Sequence, residues 1–262
     1  MRWRLIREAS GRSGTENMAL DAALLAESDA TGQAFLRLYW FEPACLSLGR
    51  NEPADRYDRA AVDRLGLDVV RRPTGGQAVW HEHEVTYAVA APIATFGGLK
   101  NAYRAIHERL AAAIRSLGAD ATLAPHRPPL SSTVLDRPTS CFARPVGGEV
   151  LVAGRKVIGS AQVRRGGAFL QHGSVLLSGS QEMVRVISRQ SSVVGNETTL
   201  AAVLGRRVSF EEVADAIVAA WGAELTSTNL HQPPPTSPTF LADLAPLARP
   251  WNLRRHADTS IG

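Results

Sequence analysis

SCFARPVGGEVLVAGRKVIGSAQVRRGGAFLQHGSVLL, residues Ser140 to Leu177, is the stretch from which the fold can be read. Its later part divides into EVLVAG, RKVIGSAQVRR and AFLQHGSVLL, joined by Gly154 and by Gly166-Gly167. Runs of alternating and β-branched residues separated by glycine turns read as consecutive strands. The stretch also holds Cys141, one of two cysteines, and Lys156, one of two lysines, in a chain that otherwise uses arginine. Lysine is a mobile point charge and arginine a rigid fork, so they substitute poorly where one ammonium must meet one oxygen. Cys141 lies between Pro138 and Pro145, in a segment that reads as a held loop. A loop thiol near a cation is the setting that favours a reactive thiolate.

Upstream, Trp3 to Ile6 reads as a short edge strand, and NMALDAALLAES as a helix capped by Asn17 with Met18, Leu20, Ala22, Leu24 and Leu25 inward. AFLRLYWF, CLSLGR, LDVVRR, AVWH and VTYAVAAP read as strands, and AAVDRLG as a brief helix ended by Gly66. NAYRAIHERLAAAIRSLGAD is the clearest helix, with Ala102, Ile106, Leu110, Ile114 and Leu117 recurring at threes and fours. Downstream come LAAVLG and SFEEVADAIVAAWGAEL, a second amphipathic helix with Ser209 and Glu212 at capping-box spacing. Helices and strands mixed without βαβ regularity predict an α+β fold, a largely antiparallel mixed sheet flanked by helices. A catalytic domain is expected over residues 1–230, with a proline-rich linker and short tail over 231–262.

The 262 residues suffice for a full core, and no run approaches the roughly 20 apolar residues of a membrane span. MRWRLIREASGRSG lacks an apolar signal region, and two cysteines make no disulfide framework, so a reduced cytoplasmic protein is expected. The net charge of +4 suits an acidic partner only mildly. No basic block interleaved with aromatics stands out, which argues against nucleic acid.

RRPTGGQAVWH places Arg71 and Arg72 before Gly75-Gly76 and His81. Adjacent glycines let backbone amides approach a ligand, although a Gly-Gly pair alone is more often a hairpin turn. His81 and His83 alternate along a strand beside Glu82 and Glu84, but no third ligand is placed and a metal-free pocket is expected. His172, in QHGS, is by itself an ordinary sheet residue. Cys45, in an apolar strand, reads as packing.

Together, NMALDAALL, PACLSLGR, VVRRPTGGQAVWHEHEVTYAV, GRKVIGSAQVRRGGAFLQHGSVLL and the terminal WN resemble the biotin/lipoate protein ligase and acyltransferase superfamily across nearly the whole chain. ATP-dependent lipoate ligases carry an Arg-Asn-Asp segment before the lysine strand. Here that place reads SCFARPVGGE, which resembles the cysteine-dependent LipM-type protein octanoyltransferases. Glu82 and Cys45 stand where the family often has Asp and a small residue such as Thr.

The resemblance implies that Cys141 and Lys156 are catalytic. Arg71, Arg72, Gly75, Gly76, His81, Gly159, Gln171, His172 and Gly173 would bind substrate. It implies octanoyl transfer from octanoyl-acyl carrier protein, through a thioester on Cys141, to a lysine of a lipoyl-accepting protein such as the glycine cleavage H protein. Thioester exchange is near neutral and amide formation downhill, so no nucleotide or other cofactor is implied. Arg71 and Arg72 would brace the glycine loop or meet the carrier; His81 and His172 are both candidates for the base. The alternatives are an ATP-dependent lipoate ligase and a non-catalytic carrier-binding relative. A monomer is the expected state.

Overall fold

Alternation in the strands sorts the side chains of the central sheet onto two buried faces. The computed structural model describes residues 3–125, 147–189, 195–222 and 225–227. In chain order the strands are β1 (Trp3–Arg7), β2 (Ala34–Tyr39), β3 (Cys45–Leu48), β4 (Asp68–Arg71), β5 (Val79–His81), β6 (Glu84–Pro92), β7 (Ala121–Leu123), β8 (Val150–Val152), β9 (Arg155–Lys156), β10 (Ile158–Arg165), β11 (Ala168–Leu176) and β12 (Leu225–Ser227). The helices are α1 (Gly14–Thr31), α2 (Arg59–Arg64), α3 (Leu99–Ser116), α4 (Glu182–Ile187), α5 (Leu200–Leu204) and α6 (Phe210–Trp221).

The main sheet runs β10–β11–β6–β2–β1–β12. It is antiparallel from β10 to β2 and parallel from β2 through β1 to β12. On one face Phe169, Val175, Tyr87, Val89, Leu36 and Trp3 pack with α3 and α6. On the other Leu170, Ala88, Ala90 and Phe35 pack with Met18, Leu24 and Leu25 of α1. Burial on both faces is why β2, β6 and β11 are buried nearly end to end. A second sheet, β4–β3–β5, packs Leu46, Leu48 and Trp80 under α2 and α4; a third joins β7, β8 and β9. The α+β expectation holds, with both helical layers in place.

Three local readings change. Helix α1 starts at Ser13, not Asn17: Ser13 Oγ accepts from Glu16 N–H and the Glu16 carboxylate accepts from Ser13 N–H, a reciprocal capping box. Asn17 lies inside the first turn, its amide donating to Arg12 O and Trp40 O. Strand β1 is not an edge strand, because β12 pairs outside it, Trp3 opposite Leu225. Leu225, the first residue of that strand, was expected to end the last helix, which instead stops at Trp221 before Gly222 at φ +77°. The expected tail, 231–262, lies outside the described residues.

Candidate active site

Two arginines shape the glycine loop. Arg71, at the end of β4, donates from Nη1 to Gly49 O at 2.6 Å and to Glu52 O at 2.8 Å. Arg72 donates to Gly75 O at 2.9 Å, Gln77 O at 2.6 Å and Ser47 O at 2.9 Å. Both side chains are buried, and these contacts brace the loop. Gly76 has φ +90°, and a Cβ at Gly49 would sit 2.0 Å from Gly76 O, so glycine is needed on both sides of this contact. The buried Glu52 carboxylate accepts from Gly49 N at 3.0 Å, Ala78 N at 3.1 Å and Tyr57 Oη at 2.8 Å, closing the loop from behind.

The loop borders a partly open cleft whose space, open solvent included, is about 350 Å³. Its apolar lining comes from Met18, Tyr39, Phe41 and Val79. Arg72, His81, His172, Gly159 and Gly173 also line it, as do Ser47, Ser160 and Ser174; Gly75, Gly76 and Gln171 do not. Gly173 is opposite Ser160 across β10 and β11, and a Cβ there would lie 2.6 Å from Ser160 Oγ and 2.3 Å from Gly159 O. The glycine makes room for the serine hydroxyl.

Three polar groups meet at this wall. His81 stacks on Phe41 with ring centroids 4.1 Å apart. Its Nδ1 is 2.6 Å from Glu84 Oε1 and its Nε2 2.7 Å from Ser47 Oγ. His83 is in the exposed turn after β5, so it shares no strand face with His81. Among the described residues no group of three or more His, Cys, Asp or Glu could hold a metal.

His172 has Nδ1 2.8 Å from Asp21 Oδ2 and Nε2 2.7 Å from Thr74 Oγ1. Burial lowers its affinity for a second proton, only partly offset by Asp21, so the ring is neutral with its proton on Nδ1. Burial opposes ionisation of Asp21, yet the hydrogen bond from His172 and the charge of Arg37 outweigh it and hold the carboxyl below its ordinary value. Arg37 bonds Asp21 Oδ1 at 2.9 Å, Asn17 Oδ1 at 2.7 Å and Glu8 Oε1 at 3.0 Å.

On the opposite face of β11, Gln171 donates to Tyr87 Oη at 2.9 Å. Tyr87 Oη is 2.6 Å from Ser160 Oγ, which is 2.8 Å from His107 Nε2. Burial, helped by the nearby charge of Lys156, pushes the His107 pKa down to about 3. Lys156 is itself buried and reaches Glu149 Oε1 at 2.7 Å. Lys156 is not among the residues that line the pocket. Cys141 lies outside the described residues. The chain re-enters the described structure at Gly147 and Gly148, where a Cβ at Gly148 would lie 3.7 Å from the Tyr103 ring. Tyr103 meets His107 edge-on at 4.2 Å.

Sequence reasoning missed Ser47, Glu84, Asp21, His107, Ser160 and Glu149. A findable signal was Asp21 in NMALDAALL, a carboxylate on an otherwise apolar helix face. Glu149, seven residues from Lys156 across a hairpin, carried none.

Comparison with known proteins gives one family, the lipoyl protein ligase A/B catalytic domain, whose profile matches residues 13–222. Octanoyltransferase LipM of Kyrpidia tusciae is 34% identical over 97% of this chain and 99% of its own length. Octanoyltransferase LipM of Carboxydothermus hydrogenoformans is 41% identical, over 67% of this chain and 65% of its own. Among solved structures, a lipoate-protein ligase A bound with ATP superposes with a TM-score of 0.75 at 19% identity, covering 97% of each chain.

Proposed function

Because the chain belongs to the lipoyl protein ligase A/B catalytic domain family, we propose that it is an octanoyltransferase of protein lipoylation. The observation that carries this is the identity with an octanoyltransferase over essentially the full length of both chains. Likeness to the ATP-bound ligase extends to the fold alone.

The donor is octanoyl-acyl carrier protein and the acceptor a lysine of a lipoyl-accepting protein. Cys141 attacks the donor thioester; the carrier's thiol leaves and the octanoyl group stays on the sulfur. The acceptor amine then attacks the new thioester, giving an amide and freeing Cys141. Splitting one transfer into two easier ones is the gain of covalent catalysis. The apolar side of the pocket, Met18, Tyr39, Phe41 and Val79, takes the acyl chain.

Lys156 steadies the oxyanion that forms at the acyl carbonyl, a role worth about 3–4 kcal/mol for one well-placed donor. Its burial and the fixing contact from Glu149 support this reading, since a preorganised cation does not reorganise during reaction.

The test is intact-mass measurement after mixing with octanoyl carrier and no nucleotide. An octanoyl adduct is expected in the native protein and absent in Cys141→Ala, which should also lose transfer to the acceptor. Undiminished transfer by Cys141→Ala would reject the thioester. Transfer of free octanoate that requires ATP would make the protein a ligase instead.

A further inference from the structure

We infer that the β10–β11 hairpin, through Arg164 and Arg165, forms with Lys100 of α3 the surface on which the acidic donor carrier docks. This rests on the acyl transfer proposed above and assigns the side from which the thioester reaches the pocket.

Among the described residues β10 is an edge strand of the main sheet, and its first half lines the pocket through Gly159, Ser160 and Ala161. Side chains alternate along a strand, so Gly159, Ala161, Val163 and Arg165 share one face, with Val163 packed on the α1 side. Arg165 is four residues beyond Ala161, roughly 14 Å along the strand. A thioester on a flexible arm spans that distance. Arg164 takes the other face with Gln162, whose Nε2 donates to Leu99 O at 3.3 Å and ties the strand to the start of α3. Lys100 follows immediately, exposed like both arginines.

The charge at this corner is one-sided. No Asp or Glu occurs between Glu84 and Glu108, or between Glu149 and Glu182, and these stretches supply β10, β11 and the first half of α3. Among the described residues no carboxylate pairs with Lys100, Arg164 or Arg165; Arg164 Nε donates to the neutral Gly166 O at 3.0 Å. Arg104, one turn further along α3, is paired with Glu108. From α1, Asp29 Oδ1 accepts from Gly167 N–H at 2.9 Å and holds the turn, offsetting part of the positive charge.

Exposed charge of this kind acts over about 8 Å at physiological salt and serves encounter with an oppositely charged partner more than final affinity. The donor suits it, an acidic protein bringing a neutral thioester. The acceptor brings an ammonium to the same mouth, which the strip repels.

The experiment compares octanoyl loading from the carrier with loading from octanoyl-N-acetylcysteamine, an uncharged thioester of the same acyl group. In the double variant Arg164→Glu, Arg165→Glu the second-order rate constant with the carrier should fall about 10- to 1,000-fold and lose most of its salt dependence. Loading from the small thioester should stay at the native rate. Lys100→Glu should act in the same direction as the double variant. Arg206→Glu with Arg207→Glu makes the same change of charge beyond the other end of α3, where Leu204 meets Gly118, and should leave both donors unaffected. Fluorescence anisotropy of labelled carrier gives the Kd, which should weaken in the hairpin variant alone, and it decides the matter where the small thioester loads too slowly to compare.

An equal loss with both donors would mark a structural effect and overturn the assignment. So would an unchanged carrier rate and Kd, or a loss matched by the distant variant. Intact loading with slowed transfer to the acceptor would give the strip to the acceptor and overturn it too. If the native protein takes no octanoyl group from the carrier, the octanoyl transfer reading falls first; native loading that the hairpin variant shares removes only this surface.

Discussion

Lys156 brings its ammonium to a position 1% exposed, where it pairs with the buried Glu149. Removing one partner of such a pair costs about 3–5 kcal/mol, whereas replacing both with apolar residues is often neutral. Lys156→Met should therefore lose acyl transfer and also unfold at lower denaturant. Lys156→Met combined with Glu149→Leu should recover most of the stability and none of the activity. Parallel urea titrations and transfer assays check this; full activity in the double variant would remove Lys156 from the chemistry. The lysine was legible because it stands alone among arginines. Its partner was not, since only the β8–β9 hairpin brings residue 149 to residue 156. His107 was hidden for a related reason: it sits beside Ile106 on a helix face read as apolar, and its partner Ser160 comes from β10.

The elements around the pocket were largely readable, because period-2 and helical spacing survive in the sequence wherever one face is buried. The glycine loop shows what spacing leaves out. RRPTGG marks a turn, but not that Gly49 of the neighbouring strand end must accept the turn against its own Cα. Gly49→Ala would drive a methyl into Gly76 O, and overpacking of this kind costs about 1–3 kcal/mol. The variant should lose that much stability, with octanoyl adduct formation slowed as Arg72 and the Gly75 carbonyl are pushed apart. Wild-type melting and kinetics would show that the loop yields freely. The end of the last helix was misjudged for a different reason. Leu225–Ser227 forms a strand because β1 offers an open edge, and no local propensity records a partner more than 200 residues away.

For the whole molecule, the sheet buried on both faces makes charge inside it expensive. Unfolded, the His107 ring takes a proton near pH 6.5; folded, it refuses one until about pH 3. Between those values the unfolded chain binds the extra proton, so stability falls as pH falls, by up to about 1.4 kcal/mol per unit. His172 is shifted in the same direction. Denaturant titrations at pH 7.5 and 5 should differ by about 2 kcal/mol from His107 alone, and His107→Gln should flatten the dependence. A native protein equally stable at both values would contradict it. The α+β class needed only the order of elements. That both sheet faces are covered emerged with the two helical layers, which no single segment announces.

Glu8, Arg37, Asp21, His172 and Thr74 form one continuous run of polar contacts, buried from Arg37 onward and reaching from the first strand's end to the pocket wall. Mutations along it should be epistatic: a change at His172 alters what is tolerated at Arg37, although the two never touch. Lineages that drift in this enzyme's substrate preference would then have to move these positions as a block, or leave the pocket as it is.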